Sequence, residues 1–388
     1  SIPLLSRYAS AAPAHSFTSD PFTFGVASGD PDHESVILWT RLAPKPLEPG
    51  GGMPKAPVEV HWEIAEDSSF KKIVQSGKIN ATPELGHSVH IEPRGLKPDH
   101  WYSYRFKSGD ATSPIGRTRT MPAPDASPGK LRFAVTSCQN FEAGLFTAYQ
   151  QMAKDKPDLV FHLGDYIYEY ASGRNGKVRT HLGPEIESLD QYRIRYAQYR
   201  GDKDLQAMHA ACPWFVTWDD HEFDNNCAAD ISEQKNVDTA KFLIRRANAY
   251  QAYYEMMPLR TSSLPVGPNM TLYRKGSFGT LAEFFILDTR QYRSDQPNND
   301  RKSPVNAAAT NPRNTLLGET QRKWLFDSMS ASKGTWNILA QQVMMALADR
   351  SSAKAPANYS MDQWPGYAHE RAACLLYTSD AADDLRGG

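Results

Sequence analysis

Apolar and polar residues alternate in short runs over residues 21–121, and the apolar members are mostly valine, isoleucine, tryptophan and tyrosine. In the run 58–64 every second residue is apolar, so these residues would share one face of a half-buried strand. Turn-forming stretches such as Lys-Pro-Asp and Ser-Gly-Asp separate the runs. We predict strands at residues 35–41, 58–64, 72–79, 87–91 and 101–107. About seven short strands within about 100 residues are typical of an immunoglobulin- or fibronectin-like β-sandwich.

The pattern changes at residues 122–130, a stretch with three prolines and a glycine. We predict a linker there, because proline can continue neither a helix nor a central strand. From residue 131 onward, apolar runs of strand length alternate with longer segments of helical spacing. We predict strands at 131–136, 158–163, 214–218, 283–287 and 335–339, and helices at 145–154, 188–211, 237–257 and 319–330. This alternation predicts a largely parallel sheet flanked by helices, in a domain of residues 131–373.

The composition is that of a globular protein and gives few indications of partners. The chain has 388 residues, of which 40% are hydrophobic, enough for large cores in about two or three domains. The formal net charge of −1 gives no reason to expect sequence-specific nucleic-acid binding or attraction to an anionic membrane. No apolar run approaches the ~20 residues that span a bilayer.

Both ends of the chain have unusual sequences. Residues 1–20 join a short apolar stretch to a stretch of small residues, which is typical either of the end of an export signal or of a disordered tail. Residues 374–388 begin with a run that resembles the translation of an adapter used in preparing sequencing libraries. We therefore predict that residues 374–388 are a non-native tail, with an ordinary polar tail as the alternative.

Polar side chains with metal-binding chemistry follow three successive predicted strands. Cys138 follows the first, Asp165 and Tyr168 follow the second, and residues 219–226 follow the third. Because the carboxyl ends of parallel strands meet at one edge of a sheet, we expect these side chains to lie together. Each of them alone is more often a turn former, a helix cap or a small buried residue. Their joint occurrence at three strand ends favours a metal site.

The candidate ligands combine hard and soft donors. Thiolate and phenolate groups with a carboxylate suit trivalent iron, whereas carboxylates and amides suit calcium or manganese. Asp165 is placed to bridge two metals through its two oxygens. The candidate metal ligands are Cys138, Asp165, Tyr168, Asp219, Asp220, Asn225 and Asn226.

Several motifs of the chain resemble those of a known family. They are Phe24-Gly-Val-Ala-Ser-Gly-Asp30, Val36-Ile-Leu-Trp-Thr-Arg41, Ser137-Cys138-Gln139, Gly164-Asp165-Tyr-Ile-Tyr168-Glu169, Trp218-Asp219-Asp220-His221-Glu222 with Asn225 and Asn226, and Leu287-Asp288-Thr-Arg290. Over about residues 21–373 the chain resembles PhoD-type alkaline phosphatases and phosphodiesterases, a branch of the metallophosphoesterase superfamily. The resemblance implies an N-terminal sandwich packed on a metallophosphoesterase domain of α/β/β/α layers.

The resemblance also implies the metals, one ferric ion (Fe3+) together with Ca2+. The positions that match the iron side of the family's site are Cys138, Asp165 and Tyr168. The positions that match the region serving the neighbouring metals are Asp220 and either Asn225 or Asn226.

The function implied by the resemblance is hydrolysis of phosphate mono- and diesters by a metal-activated hydroxide. His221 is placed like the superfamily histidine near the scissile phosphate, and Arg290 is expected to neutralise phosphate charge. The alternatives are a phospholipase-D-like phosphodiesterase and an inactive or non-enzymatic exported binding protein. The expected partners are small phosphate esters, including phospholipid or teichoic-acid-like diesters, and we expect a monomer. The family is exported by the twin-arginine route, so we expect a periplasmic or secreted protein.

Two features depart from the family pattern. Family members usually continue beyond the segment that resembles residues 361–367 to a Gly-Asp-x-His motif with further ligands, and nothing after Arg371 resembles it. Pro365 stands where many relatives carry an aspartate. We therefore expect this chain to lack part of the metal site. Separately, Cys212 and Cys227 flank the third predicted strand and its loop, and they either pair in a disulfide or remain buried thiols.

Overall fold

The computed structural model of the chain describes residues 16–352 and 354–383, with side chains up to residue 377. Most of the predicted N-terminal tail, residues 1–15, therefore lies outside the described residues. Within the described part of the chain, no helix has both the length and the apolar character needed to cross a membrane.

Eight strands form the β-rich region that precedes the predicted linker. All five predicted strands are present close to their predicted bounds, and the three additional strands are short. The strands are β1 (Val26–Gly29), β2 (Ile37–Arg41), β3 (Val58–Ala65), β4 (Ile73–Ala81), β5 (Ser88–Ile91), β6 (Trp101–Ser108), β7 (Ala111–Thr112) and β8 (Gly116–Arg119).

These strands form two sheets that enclose an apolar core. One sheet has the order β4-β3-β6-β7, with β8 also paired to β6, and the other begins with β5-β2-β1. Val60 and Ile64 of β3 and Tyr104 of β6 are buried in this core together with Leu38 of β2 and Val89 of β5. The alternation in the sequence is therefore the alternation of core-facing and outward-facing positions.

Six strands and six helices follow the linker. The five strands predicted there are present, as are the helices predicted at 145–154, 237–257 and 319–330, whereas β12 and α6 are additional. The strands are β9 (Phe133–Thr136), β10 (Leu159–Leu163), β11 (Trp214–Thr217), β12 (Arg274–Phe278), β13 (Ala282–Ile286) and β14 (Trp336–Ala340). The helices are α1 (Ala148–Lys154), α2 (Leu189–Arg200), α3 (Lys203–Ala211), α4 (Thr239–Met256), α5 (Gly318–Ser330) and α6 (Ala368–Asp383).

The prediction of one continuous helix over residues 188–211 is wrong. The segment forms α2 and α3, which are separated by Gly201 and Asp202. The carboxylate of Asp202 accepts hydrogen bonds from the amides of Asp204 (3.0 Å) and Leu205 (3.2 Å). It therefore caps the first turn of α3, which starts a new helix where the periodic pattern alone suggests continuation.

The β-rich region and the α/β region share a sheet. β1 pairs in parallel with β11 through Gly29 and Trp214, which gives the six-stranded order β5-β2-β1-β11-β10-β9. A Cβ atom at Gly29 would lie 2.4 Å from the carbonyl oxygen of Pro258 and 2.8 Å from that of Trp214. Glycine is therefore needed where the two regions meet. The linker is thus not the only connection between the regions.

Three apolar cores lie against the sheets of the α/β region. The first packs helices α1–α4 on the face of β10 and β11 that includes Trp214. The second lies between the six-stranded sheet and the sheet β12-β13-β14, where the rings of Phe161 and Phe284 are 5.1 Å apart. The third packs Phe285 of β13 against Leu325 of α5. Neighbouring residues of β13 thus face different cores, as the period of a strand requires.

The predicted non-native tail begins inside α6. Cys374 is buried in the third core, and the ring of Tyr377 stacks on Phe326 with a centroid distance of 4.5 Å. The Tyr377 hydroxyl also donates to the carbonyl oxygen of Phe326 at 2.8 Å. The tail therefore extends a packed helix, and its foreign origin stays a prediction.

Candidate metal centre

The three predicted strand ends converge at one edge of the six-stranded sheet. β10 pairs in parallel with β9 on one side and with β11 on the other. The amide of Cys138 donates to the carbonyl oxygen of Gly164, and the amide of Gln139 donates to that of Asp165, each at 3.1 Å. These bonds hold the loops after β9 and β10 side by side. We call the loop residues 138–140, 164–169 and 219–226 the rim.

Gly164 allows the loop after β10 to lie against the loop after β11. Its φ angle is 100°, and a Cβ atom there would lie 2.3 Å from the amide nitrogen of Asp219. Cys138 and Asp165 have φ angles of 55° and 54°, in the left-handed region that non-glycine residues rarely occupy. Such conformations persist where the surrounding structure fixes them, which is common at functional sites.

A buried carboxylate, Glu222, fixes two loops of the rim. Its oxygens accept hydrogen bonds from the amides of Asp165 (3.1 Å), Tyr166 and Asp219 (2.8 Å). Burial raises the pKa of Glu222 to about 8, although these amides oppose the rise. Loss of this carboxylate would leave three amides without their partner, so Glu222 positions the backbone that carries the candidate ligands.

Asp165, Asp220 and His221 form a group that fits a metal. Each offers a ligand atom, and these atoms lie within 4.8 Å of one another. Oδ1 of Asp165 is buried without a hydrogen-bond partner, whereas Oδ2 accepts the hydroxyl of Tyr168 at 3.2 Å. Burial, and then the charges of Asp220 and Asp219, raise the pKa of Asp165 well above its usual value. A cation would supply the missing partner of Oδ1 and offset the repulsion among the carboxylates.

Cys138 and Tyr168 lie beside this group. The Cys138 side chain reaches the exposed side of the rim, and its thiol is within hydrogen-bonding reach of Asp165. Desolvation and the Asp165 charge raise the pKa of Cys138 to about 12. The same two causes raise the pKa of Tyr168 above its usual value. Both groups hold their protons without a cation, so a metal bound by them would displace protons.

His221 is held by a carboxylate and two aromatic rings. Its Nδ1 lies 2.7 Å from Oε2 of Glu169, and its ring centroid lies 4.2 Å from that of Tyr168 and 5.1 Å from that of Tyr170. Burial lowers the pKa of His221, but Asp220 and Glu169 outweigh this effect and raise it to about 11. Because Nδ1 is engaged by Glu169, Nε2 is the atom left for a metal or a phosphate group.

Arg290 lies behind the rim and does not match the expectation of a phosphate contact. Its Nε donates to Asp219 at 2.6 Å, and its two Nη atoms donate to the two oxygens of Asp362 at 2.7 Å each. One Nη also lies 3.3 Å from Asp220, and the other donates to the carbonyl oxygen of Cys227 at 3.4 Å. This buried guanidinium holds the carboxylates in place and has no free N–H for a substrate.

The side-chain amide nitrogens of Asn225 and Asn226 donate to acidic residues outside the rim. Nδ2 of Asn225 donates to Glu233 at 2.7 Å, and Nδ2 of Asn226 donates to Asp300. The backbone amide of Asn226, in contrast, donates to Oδ2 of Asp220 at 2.8 Å. Asn226 therefore supports a candidate ligand through its backbone, and the role of both side chains as metal ligands stays a prediction.

Two family profiles match the chain in the order in which its regions occur. The profile of the PhoD-like phosphatase matches residues 133–384, and the profile of the PhoD-like phosphatase N-terminal domain matches residues 8–122. The chain belongs to the PhoD-like phosphatase family. The region that contains the rim is therefore the phosphatase region of this family.

Two individual proteins resemble the chain over most of its length. Alkaline phosphatase D of Bacillus subtilis (strain 168) is 55% identical over 368 residues, which are 94% of this chain and 63% of the relative. A solved structure described as "Structure of PhoD" superimposes with a TM-score of 0.92 at 53% identity, over 95% of this chain and 71% of that chain. The chain thus spans less than two thirds of the length of the curated relative.

Three acidic residues, Glu169, Glu222 and Asp362, hold the rim, and no role is predicted for any of them from the sequence. Glu222 and Glu169 stand within the motifs that carry the candidate ligands, so their positions give a weak signal. Asp362 accepts from Arg290, from Nη1 of Arg293 at 2.7 Å and from Nε2 of Gln296 at 2.7 Å. Since 72 residues separate Asp362 from Arg290, no local pattern indicates this contact.

The four cysteines of the chain are free thiols in the structure. Cys212 and Cys227 are both buried, so of the two alternatives left open by the sequence, unpaired buried thiols are found.

A cavity of about 510 Å³ opens beside the rim at Asn226. Asp230, Glu233, Asp295 and Asp300 contribute carboxylates to its lining, with Lys235 as the one lysine among the lining residues. This surplus of negative charge repels phosphate. The cavity is therefore a poor site for the phosphate group of a substrate.

Proposed function

We propose that this protein hydrolyses phosphate mono- and diesters at a metal centre built on Asp165 and Asp220, with His221 beside it as a proton donor. The observation that carries the proposal is the buried, unpartnered Oδ1 of Asp165 among other carboxylates. The family and the name of the Bacillus relative, an alkaline phosphatase, support the same reaction. Because the chain spans 63% of that relative, the activity of the whole protein is part of the proposal.

The donor set supports a ferric ion with calcium. Cys138 and Tyr168 offer a thiolate and a phenolate beside Asp165, which suits Fe3+, and Asp220 with Asn225 or Asn226 offers hard oxygen donors for Ca2+. When bound, such ions supply the positive charge that acidifies water and offsets the charge developing on phosphoryl oxygens.

The residues of the chain supply positioning and proton control. Glu222 fixes the loops, and Arg290 fixes the carboxylates of Asp219 and Asp220. Glu169 holds His221 through Nδ1. His221 can therefore donate from Nε2 to a phosphoryl oxygen or to the leaving oxygen of the ester.

Further parts of the proposal concern architecture and location. We infer an immunoglobulin- or fibronectin-like sandwich over residues 21–121 and metallophosphoesterase layering over residues 131–373, supported by the two-sheet core and the three stacked cores. We further infer an exported, monomeric enzyme that acts on small phosphate esters, including phospholipid or teichoic-acid-like diesters. A phospholipase-D-like specificity is the second candidate, and a substrate panel separates the two.

The test compares Asp165→Asn with the wild type. The variant should lose at least half of the bound metal, measured by elemental analysis, and its turnover of p-nitrophenyl phosphate and bis-p-nitrophenyl phosphate should fall at least 100-fold, about 2.7 kcal/mol of transition-state stabilisation. Asp327→Asn is the matched control, because Asp327 is exposed and pairs only with Lys323. Equal metal content and turnover in Asp165→Asn and wild type would reject the assignment.

A further inference from the structure

A ten-residue loop beside the rim is fixed from its inner side. The loop, residues 171–180, follows Tyr170 and returns to His181. The fully buried carboxylate of Glu142 accepts hydrogen bonds from the amides of Gly173 (2.8 Å), Asn175 (3.1 Å) and His181 (2.9 Å). A Cβ atom at Gly176 would lie 2.3 Å from the carbonyl oxygen of Glu142. The loop is therefore held close to Glu142, although most of its side chains are exposed.

Arg174 is carried by this loop towards the rim. Its side chain is exposed, and its guanidinium carbon lies 4.9 Å from the ring centroid of Tyr170. The Tyr170 ring in turn packs edge-on against His221 with a centroid distance of 5.1 Å. The Tyr170 ring thus contacts both Arg174 and the histidine that is nearest to the proposed chemistry.

The guanidinium group of Arg174 is not paired with a carboxylate among the described side chains, unlike those of the arginines behind the rim. Arg290 and Arg293 are buried and bound to Asp362. Among the described side chains, Arg174 has no carboxylate oxygen within 4.0 Å. A phosphate ester brings negative charge to a rim that is itself rich in carboxylates. An exposed arginine with a free planar fork is the group that would attract and orient such a substrate.

We propose that Arg174, supported by Tyr170, forms an outer anion subsite that selects phosphate esters with a second anionic group. This inference rests on the proposed function. Arg174 reaches His221 only through the Tyr170 ring in the contacts observed, so we assign it to a position outside that of the phosphate that contacts His221. Its partner is therefore a carboxylate or second phosphate on the ester side of the substrate. Arg174 acts as a specificity-determining residue and takes no part in bond cleavage.

The test measures binding of two matched probes, phenylphosphonate and 4-carboxyphenylphosphonate, by calorimetry on the metal-loaded protein. Neither probe can be hydrolysed, so the measurement does not depend on turnover. The wild type should bind the carboxylated probe about fivefold more tightly, the scale of one exposed charge pair. Arg174→Ala should remove this preference, and Arg174→Lys should keep part of it. Lys177→Ala is the control, because Lys177 is an exposed cation of the same loop.

Each outcome has a distinct meaning. Loss of the preference in Arg174→Ala but not in Lys177→Ala supports the subsite. A wild type that binds both probes equally, or an Arg174→Ala variant that keeps the preference, overturns the subsite and leaves the proposed function standing. A wild type that binds neither probe overturns both proposals. Unchanged circular dichroism of Arg174→Ala is expected, since the side chain is exposed.

Discussion

The rim and the open edge formed by β9 and β14 are opposites in burial. The rim buries charged side chains, whereas the open edge exposes apolar ones. At the rim, buried carboxylates are bonded to backbone amides or to Arg290. At the open edge, Val135 is 53% exposed and Trp336 is 65% exposed, although both lie on strands of central sheets. A groove of about 450 Å³ between these strands is lined mainly by apolar residues.

The rim and the open edge differ in whether their groups have partners within the described residues. The side chains that fix the rim, those of Glu169, Glu222, Arg290 and Asp362, all lie outside β9 and β14. Among the described residues, the edge strands β9 and β14 each have a neighbouring strand on one side only. Unpaired edge groups with exposed apolar side chains are a template for association with another chain or segment. Breaking the rim should therefore cost stability, whereas changing the edge should alter association.

The largest effect is expected from Arg290→Met. This change leaves Asp219 and Asp220 buried without their guanidinium partner and leaves Asp362 with Arg293 as its remaining guanidinium partner, so the free energy of unfolding should fall by about 3–5 kcal/mol. Urea denaturation of the metal-free protein measures this loss. The control is Lys323→Met, which removes a cation from an exposed pair and should cause no measurable loss. Equal stability of the two variants would show that the buried network contributes little.

Gly164→Ala should have the next largest effect. A Cβ atom at Gly164 would lie 2.3 Å from the amide nitrogen of Asp219, so the two loops must separate. We expect a loss of about 2–4 kcal/mol in the free energy of unfolding, together with weaker metal binding. Gly173→Ala separates sterics from backbone conformation, because Gly173 also has a positive φ of 79° but has no neighbouring atom within 4 Å. If both variants lose the same stability, close packing at Gly164 is not the cause.

The rim also shows which features can be predicted from the sequence and which cannot. The strand ends are predictable because strand period and turn formers are local, so the places of Cys138, Asp165 and Asp220 follow from them. The engagement of Arg290 by Asp362 is not predictable in this way, since the two lie 72 residues apart. The pairing of β1 with β11 is equally non-local. The chemistry of a side chain indicates which groups it can bind, whereas the fold determines which of these groups lies next to it.

An effect of pH is expected from His162, which lies on β10 just behind the rim. Its Nδ1 accepts the amide of Gly164 at 3.4 Å, and its Nε2 is buried without a partner. Desolvation lowers its pKa to about 3 from the usual 6.5. Because the folded pKa is lower than the unfolded one, the unfolded chain binds a proton first as the pH falls. Stability should therefore decline below pH 6.5 by up to about 1.4 kcal/mol per pH unit, until the pH reaches the folded pKa.

His162→Asn tests this dependence. Asparagine keeps an acceptor for the Gly164 amide but does not titrate, so the slope of unfolding free energy against pH should decrease by about one proton between pH 6 and 4.5. The difference in unfolding free energy between variant and wild type should therefore be about 2 kcal/mol more favourable to the variant at pH 5 than at pH 7. Urea denaturation at several pH values gives both slopes. Parallel slopes would mean that His162 stays neutral in the unfolded chain or gains a proton in the folded one.

The smallest effect on stability is expected from Trp336→Ser at the open edge. Since most of this side chain already contacts solvent, its removal should change the free energy of unfolding by no more than about 0.5 kcal/mol. The comparison is Phe161→Ala on β10, the strand next to β9. Because Phe161 is buried between the sheets, this change should lower the free energy of unfolding by about 3–5 kcal/mol. At protein concentrations high enough for the monomer to aggregate, sedimentation velocity should show less aggregation for Trp336→Ser, because the edge loses its largest apolar side chain. A stability loss close to that of Phe161→Ala would mean that Trp336 is covered in solution and that the contrast between rim and edge does not hold.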